Sequence, residues 1–221
     1  MKQRKTREKV SIELKKRFEK EGEKFLKSIV TGDESWLPFH LPETKEKSKE
    51  WRKNGETPPK KAKPKPFGKK IMITVFWNYK GVISIDFHSQ GNHINSESYM
   101  KTLEKLKKDI SKKRLGKVLL LYDNARPHTA KKTKELISSF GWEILKHPPY
   151  SPDLSPSDYY LFAPLKNYLR GINYPNEEEW KFPASSWLEK QIPEFFEKGI
   201  KKLPNRWEKC IEAKGEYFEK K

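Results

Sequence analysis

Three aspartates stand where a folded chain would bring carboxylates together: Asp33, Asp123 and Asp158. Asp33 and Asp123 each follow an apolar run with the character of a strand, and α/β sheets present ligands at the carboxyl ends of such strands. Carboxylates that converge in a partly buried site repel each other, and a divalent cation removes that repulsion. Aspartate oxygens favour Mg²⁺ or Mn²⁺ over zinc. The three residues are therefore candidate catalytic and metal-binding residues.

Asp158 also fits a structural role at the start of a helix. Ser155 would be the N-cap, Pro156 the first helical residue and Asp158 the third, which is a common capping arrangement. One carboxylate oxygen can cap while the other meets a metal. Both interpretations of Asp158 therefore stay open at the level of the sequence.

The other titratable residues fit structural roles better than metal binding. Glu34 adjoins the first aspartate and is only a spare ligand. Asp153 lies in a proline-rich turn, where an Asx turn is expected, and Asp86 alternates with apolar neighbours, so it should face solvent. His128 and His147 match no zinc-binding spacing, and a hydrogen-bonded histidine is the better interpretation of each.

The composition points to a polyanionic partner. The 221 residues contain 48 Lys and Arg against 30 Asp and Glu, a formal charge of +18, and nucleic acid is favoured over an anionic membrane surface. No stretch approaches the roughly 18 apolar residues that a spanning helix needs. The single cysteine, Cys210, cannot form an internal disulfide, which fits a reducing intracellular compartment.

Apolar periodicity predicts alternating strands and helices. The predicted elements are a basic helical arm over 1–24, a strand over 25–31, a hairpin of 71–77 and 82–87, a helix over 96–114 with Ser96 as its N-cap, a buried strand over 118–122, a helix over 127–140 and a short strand over 142–145. This order predicts an α/β fold in which a mixed sheet is flanked by helices.

A basic segment over 44–70 is rich in lysine and proline, so we expect an extended loop. Its lysines are candidate DNA contacts, as are two residues near the second aspartate; the set is Lys60, Lys61, Lys63, Lys65, Arg126 and His128. The run over 60–65 also fits a nuclear localisation signal, although phosphate binding or solubility explains it as well.

Several motifs resemble the catalytic domain of mariner-type DNA transposases. They are IVTGDE at 29–34, TVFW at 74–77, YDNARPH at 122–128, HPPYSPDL at 147–154 and SDY at 157–159. RWEKC at 206–210 and GEYF at 215–218 are similar to the end of that domain. The resemblance covers nearly the whole chain. Its most specific parts are DNARPH, HPPYSPDL and the 34 residues between Asp123 and Asp158.

The resemblance implies a ribonuclease H-like fold in which Asp33, Asp123 and Asp158 hold two ions of Mg²⁺ or Mn²⁺. It implies a DNA transposase and endonuclease that cleaves and joins strands in cut-and-paste transposition. It also implies double-stranded DNA as a partner, a nuclear location and a homodimer, since the basic loop lies where the family has a segment that reaches a partner protomer. A catalytically idle, transposase-derived DNA-binding protein is the alternative.

The resemblance also suggests how the chain is divided. We expect a basic arm or linker over 1–24, the catalytic domain over 25–172 and a helical extension of the same domain over 173–221. Pro183 is expected to interrupt a helix of that extension. The family's N-terminal half, which recognises the inverted repeats, is expected to be missing from this chain.

Overall fold

The structure is a computed structural model that describes residues 2–39, 41–42, 70–88, 94–171, 174 and 176–218. Within these ranges the elements are α1 (Lys2–Glu21), α2 (Glu23–Lys27), β1 (Ile29–Pro38), β2 (Lys70–Asn78), β3 (Gly81–His88), α3 (Ser96–Lys112), β4 (Leu119–Leu121), α4 (Arg126–Thr129), α5 (Lys131–Ser139), β5 (Glu143–Ile144), a 3₁₀ turn (Pro152–Leu154), a π-helical turn (Ser157–Leu161), α6 (Phe162–Tyr168), α7 (Glu177–Lys190), α8 (Pro193–Lys201) and α9 (Leu203–Glu212). The basic segment predicted at 44–70 lies outside the described residues, except for Lys70. None of these helices is long and apolar enough to cross a membrane.

The strands form one mixed sheet in the order β3-β2-β1-β4-β5. β1, β2 and β3 pair antiparallel, whereas β1 pairs parallel with β4 and β4 with β5. The predicted hairpin is confirmed, because Asn78 pairs with Gly81 across a two-residue turn. The α/β class with a mixed sheet between helices is confirmed as well.

Each face of the sheet packs against its own apolar core. Helices α3 and α5 cover one face, where the core includes Val30, Phe76, Tyr99, Leu103, Leu120 and Ile137. The remaining long helices cover the other face, where the core includes Phe25, Ile29, Trp77, Leu121, Phe196 and Trp207. Neighbouring residues of β1 and β4 thus enter opposite cores, which explains why β4 is continuously apolar.

The first strand differs from its prediction. It begins at Ile29 rather than at residue 25 and continues to Pro38. Phe25 and Leu26 belong to the short helix α2, where both are buried. A short apolar run fits a buried helix turn as well as a strand, so its periodicity does not decide between them. Asp33 therefore lies within a strand and not beyond its end.

Helix α1 packs along α9, and its Val10 and Leu14 are part of the core. Its Arg7 is buried and donates to both carboxylate oxygens of Asp153. The predicted Asx turn at Asp153 is therefore wrong. The acid instead neutralises an arginine that the sequence places 146 positions away.

Two polar residues beside α3 also differ from their predictions. The N-cap is Asn95 and not Ser96, because the Asn95 side chain accepts from the Ser98 backbone N–H at 2.8 Å. Asp86 does not simply face solvent: it accepts from the Thr102 hydroxyl at 2.6 Å and lies 3.0 Å from the Lys105 amine. Both contacts join β3 to the helix that covers it.

Two helices differ in continuity. The helix predicted over 127–140 is divided at Ala130, whose ψ of 142° is extended, and the Thr133 hydroxyl donates to the Pro127 carbonyl across the break at 2.8 Å. Pro183, by contrast, does not interrupt α7. A proline inside a helix costs about 3 kcal/mol, and the burial of Trp180 and Leu188 on the same helix offsets that cost.

Candidate active site

Asp33 and Asp123 lie at the same level of neighbouring parallel strands. β1 and β4 pair in a register that places Thr31 opposite Leu121, and each aspartate follows two residues later. Side chains two residues apart in a strand point to the same face. The pairing of β1 with β4 therefore brings together two carboxylates that are 90 positions apart in the sequence.

The Asp33 carboxylate is held by two hydrogen bonds. Its Oδ1 accepts from the Glu34 backbone N–H and its Oδ2 from the Ser155 hydroxyl, both at 2.8 Å. The predicted capping role of Ser155 is therefore wrong, because its hydroxyl is directed at Asp33 and no side chain caps this helix start. The capping interpretation of Asp158 loses its support as well, since this described turn has no hydrogen bond from a side-chain cap.

Asp33 and Asp158 form a close pair of carboxyl groups. Burial, together with the negative charges of Asp158 and Glu34, raises the pKa of Asp33 to about 8. Partial desolvation and the charge of Asp123 likewise raise the pKa of Asp158, against the lowering effects of its hydrogen bond with Asp33 and of the Lys166 charge. All three predicted aspartates thus belong to one electrostatic cluster, just past the point where the parallel pairing of β1 with β4 ends.

The Asp123 carboxylate is held by His128. Its Oδ1 lies 2.6 Å from His128 Nδ1 and accepts from the Ala125 N–H at 2.9 Å. Burial would raise the pKa of Asp123, but these hydrogen bonds outweigh it and the pKa is lowered. On the far side of the ring, His128 Nε2 lies 3.5 Å from Glu34 Oε2.

His128 is the cation of this cluster. Burial opposes its protonation, yet the bonds to Asp123 and Glu34 raise its pKa to about 9. The ring is 2% exposed and stacks on Tyr99 with centroids 4.0 Å apart. A buried ring with both nitrogens engaged argues against the direct DNA contact predicted for His128. Arg126, two residues earlier, is exposed.

Two residues that position the carboxylates have no recognisable local signal in the sequence. In the sequence, Ser155 has the position of a helix cap, and its contact with Asp33 is formed only in the folded chain. Gly32 is opposite Phe76 in the β1–β2 pair, and an added Cβ would overlap the Phe76 ring. The glycine at position 32 therefore lets the Phe76 ring pack directly against the β1 backbone, beside Asp33.

The cluster suits a divalent cation by its chemistry. Its donors are oxygens, and the raised pKa of Asp33 records a crowding of carboxylates that a cation would relieve. Among the described residues, however, no three carboxylate, histidine or cysteine side chains are gathered closely enough to hold one ion. Asp123 is directed toward His128, while Asp33 and Asp158 face each other.

Comparisons with known proteins agree with this fold. A family described as "Transposase (partial DDE domain)" matches residues 41–120. The chain is also similar to a solved structure of the Mos1 transposase catalytic domain with Raltegravir and Mn: 32% identity, a TM-score of 0.81, and coverage of 99% of this chain and 98% of that one. The chain thus has the ribonuclease H-like fold of a transposase catalytic domain.

The particular family follows from the same comparisons. The chain is 38% identical over 201 residues to the mariner Mos1 transposase of Drosophila mauritiana, covering 88% of this chain. It is 36% identical over 203 residues to the human histone-lysine N-methyltransferase SETMAR. The chain belongs to the mariner transposase family, and it spans 57% of the first of these relatives and 29% of the second. A Mos1 paired end complex with Mg gives a TM-score of 0.90 at 36% identity, covering 99% of this chain and 64% of that one.

Proposed function

We propose that this chain is a metal-dependent DNA transposase domain that cleaves DNA strands and joins them to new sites. Asp33, Asp123 and Asp158 hold two ions of Mg²⁺ or Mn²⁺. The observation that carries the proposal is the carboxylate cluster itself, in which Asp33 and Asp158 are paired and Asp123 stands at the same level of the next strand. The Mg and Mn in solved relatives are consistent with these ions.

The protein's own contribution is to position and to neutralise charge. Two bound ions would activate a water or a DNA 3′-hydroxyl and stabilise the departing oxygen. Ser155 and the Glu34 N–H fix the direction of the Asp33 carboxylate, and His128 fixes that of Asp123. Phosphoryl transfer needs little covalent chemistry from side chains, so this orientation carries the protein's share of the catalysis.

The partners follow from charge and family. We propose double-stranded DNA as the substrate, a homodimer as the working form and the nucleus as the place of action. The net charge of +18 supports a DNA partner. Arg126, exposed at the start of α4 beside Asp123, is the described candidate for a phosphate contact near the site. The lysines at 60, 61, 63 and 65 stay predictions.

A plasmid-nicking assay tests the function. We expect supercoiled DNA to be nicked with Mg²⁺ or Mn²⁺ and not with EDTA. Asp123→Ala should abolish nicking, whereas Asp109→Ala, which removes a carboxylate from the last turn of helix α3, should not. Nicking that survives in the Asp123 variant would show that the carboxylate cluster is not the catalytic centre.

A catalytically idle DNA-binding protein is the second candidate. It is favoured by the absence of a gathered three-ligand cluster among the described residues. Titration with Mn²⁺ by calorimetry, with and without a DNA duplex, separates the two candidates. The transposase requires metal binding that Asp123→Ala removes. Duplex binding without any metal uptake would favour the idle protein.

A further inference from the structure

A basic trough runs across the end of the sheet where β1 and β4 begin. It consists of two adjoining clefts of about 450 and 370 Å³ that share Asn78, Lys80, Lys113 and Leu115. The turn between β2 and β3 forms one wall, and the segment from the end of α3 to the start of β4 forms the other. We refer to this surface as the trough.

Six cations line the trough: Lys24, Lys27, Lys80, Lys113, Arg114 and Lys117. Lys27 has a carboxylate partner in Glu23 at 3.4 Å, and Lys117 has one in Glu143 at 3.7 Å. The other four have no carboxylate within 4 Å among the residues that the structure describes. One acid, Glu189, lines the far end. The trough is therefore a concave surface of uncompensated positive charge.

The trough is separate from the carboxylate cluster. Asp33 lies four residues into β1, and Lys27 lies two residues before that strand begins. At about 3.3 Å per residue, roughly 20 Å of chain separates the two positions. The carboxylates lie just past the carboxyl end of the parallel β1–β4 pairing, and the trough opens at the amino end of that pairing.

We propose that the trough binds the phosphate backbone of a second DNA duplex segment, distinct from the one at the carboxylates. Unpaired lysine and arginine side chains on a concave surface neutralise phosphates and release counterions, which drives duplex binding without reading sequence. The inference rests on the trough's own charge and shape. It holds whether or not the carboxylate cluster cleaves DNA.

A purely structural explanation of these cations exists. Lys113 and Arg114 end helix α3, and a cation near a helix C-terminus stabilises the helix dipole. Arg114, however, has a φ of 50°, and the turn is closed by the bond from the Leu115 N–H to the Ile110 carbonyl. Glycine is the residue that suits this position. An arginine there strains the backbone, so stability alone does not explain it.

Lys214 supplies a matched control. It also has a φ of 50°, and its turn at the end of α9 is closed by the equivalent bond from the Gly215 N–H to the Cys210 carbonyl. Arg114→Gly and Lys214→Gly each remove one exposed positive charge and relieve the same strained conformation. They differ in that only the first lies in the trough.

The experiment measures binding of a labelled 20-base-pair duplex in EDTA at several salt concentrations. Both glycine variants should melt at the same temperature as the parent chain or higher. Arg114→Gly should weaken binding about fivefold to tenfold near 100 mM salt and reduce the slope of log affinity against log salt by about 0.9. Lys214→Gly should change the affinity by less than twofold and should leave the slope unchanged. Equal losses in the two variants, or no loss in either, would overturn the proposal.

A charge reversal tests the whole surface. Lys113→Glu with Arg114→Glu should weaken duplex binding at least 30-fold. Lys9→Glu with Lys16→Glu, two exposed lysines of α1, makes the same change in net charge and should weaken it far less. Polyglutamate provides a second comparison. If the trough of the parent chain binds polyglutamate more tightly than it binds the duplex, the surface belongs to an acidic protein partner and not to DNA. Because EDTA prevents cleavage, failure here and failure of the nicking assay are distinguishable.

Discussion

Arg7 and Asp153 form a buried ion pair in which two guanidinium nitrogens donate to the two carboxylate oxygens at 2.8 and 2.6 Å. The Arg7 Nε also donates to the Gly215 carbonyl, and Arg206 donates to the Asp153 carbonyl. The pair fixes the 3₁₀ turn that leads directly to Ser155. Helix α1 is therefore coupled to the carboxylate cluster through the residue that orients Asp33.

Breaking this pair should destabilise the chain strongly. Arg7→Met leaves the Asp153 carboxylate buried without its partner, and Asp153→Leu leaves the Arg7 guanidinium buried without its partner. Removing one partner of a buried ion pair costs about 3 to 5 kcal/mol. The double variant should recover most of that loss, because both charges are then gone. Urea unfolding of the four proteins measures the coupling. A double variant whose loss equals the sum of the single losses would mean that the two side chains do not interact.

Local sequence patterns predict the secondary-structure elements, whereas contacts between distant parts of the chain determine where the site residues lie. The apolar run of β4 and the alternation of the hairpin are visible within about eight residues, so both were predicted correctly. The bond from Ser155 to Asp33 spans 122 positions, and no local pattern encodes it. In the sequence, a serine that caps a helix looks the same as a serine that positions a carboxylate. Only the packing of the π-helical turn against β1 separates these roles.

Asp158→Asn should remove metal-dependent nicking with little effect on stability. Asparagine cannot supply the charge that a cation needs, but it relieves the crowding of Asp158 against Asp33. We expect the free energy of unfolding to stay within about 0.5 kcal/mol and the nicking rate to fall below detection. Thermal melting and plasmid nicking measure the two effects. Intact nicking together with a clear loss of melting temperature would restore the capping interpretation.

His128→Phe should weaken metal binding by about 10-fold to 100-fold, which is typical when the partner of a metal-binding carboxylate is lost. Phenylalanine keeps the ring against Tyr99 but donates no hydrogen bond to Asp123. Mn²⁺ calorimetry measures the affinity, and circular dichroism checks the fold. Thr129→Ala, on the same short helix, serves as the control because its hydroxyl donates to the backbone carbonyls of Ala125 and Arg126. A folded variant with the parental affinity would show that His128 does not position Asp123.

His147 should make the chain less stable in mild acid. Burial and the Arg7 charge lower the pKa of His147 from an ordinary 6.5 to about 4, against the raising effect of Asp123 and Asp153. Between those two values the unfolded chain binds more protons than the folded one. The contribution of neutral His147 is therefore complete above pH 6.5 and is lost as pH falls through 4, by at most about 3 kcal/mol.

Comparison with His147→Gln isolates this effect from the rest of the chain. Asp33 opposes it, because its pKa is raised to about 8 and its protonation favours the folded state as pH falls. Glutamine does not titrate, and the bond from the Asn124 side chain to the backbone carbonyl of residue 147 is independent of the substitution. Urea unfolding at pH 7, 5.5 and 4.5 should show the parent losing stability relative to the variant as pH falls. A constant difference between the two proteins across this range would mean that His147 titrates normally in the folded chain.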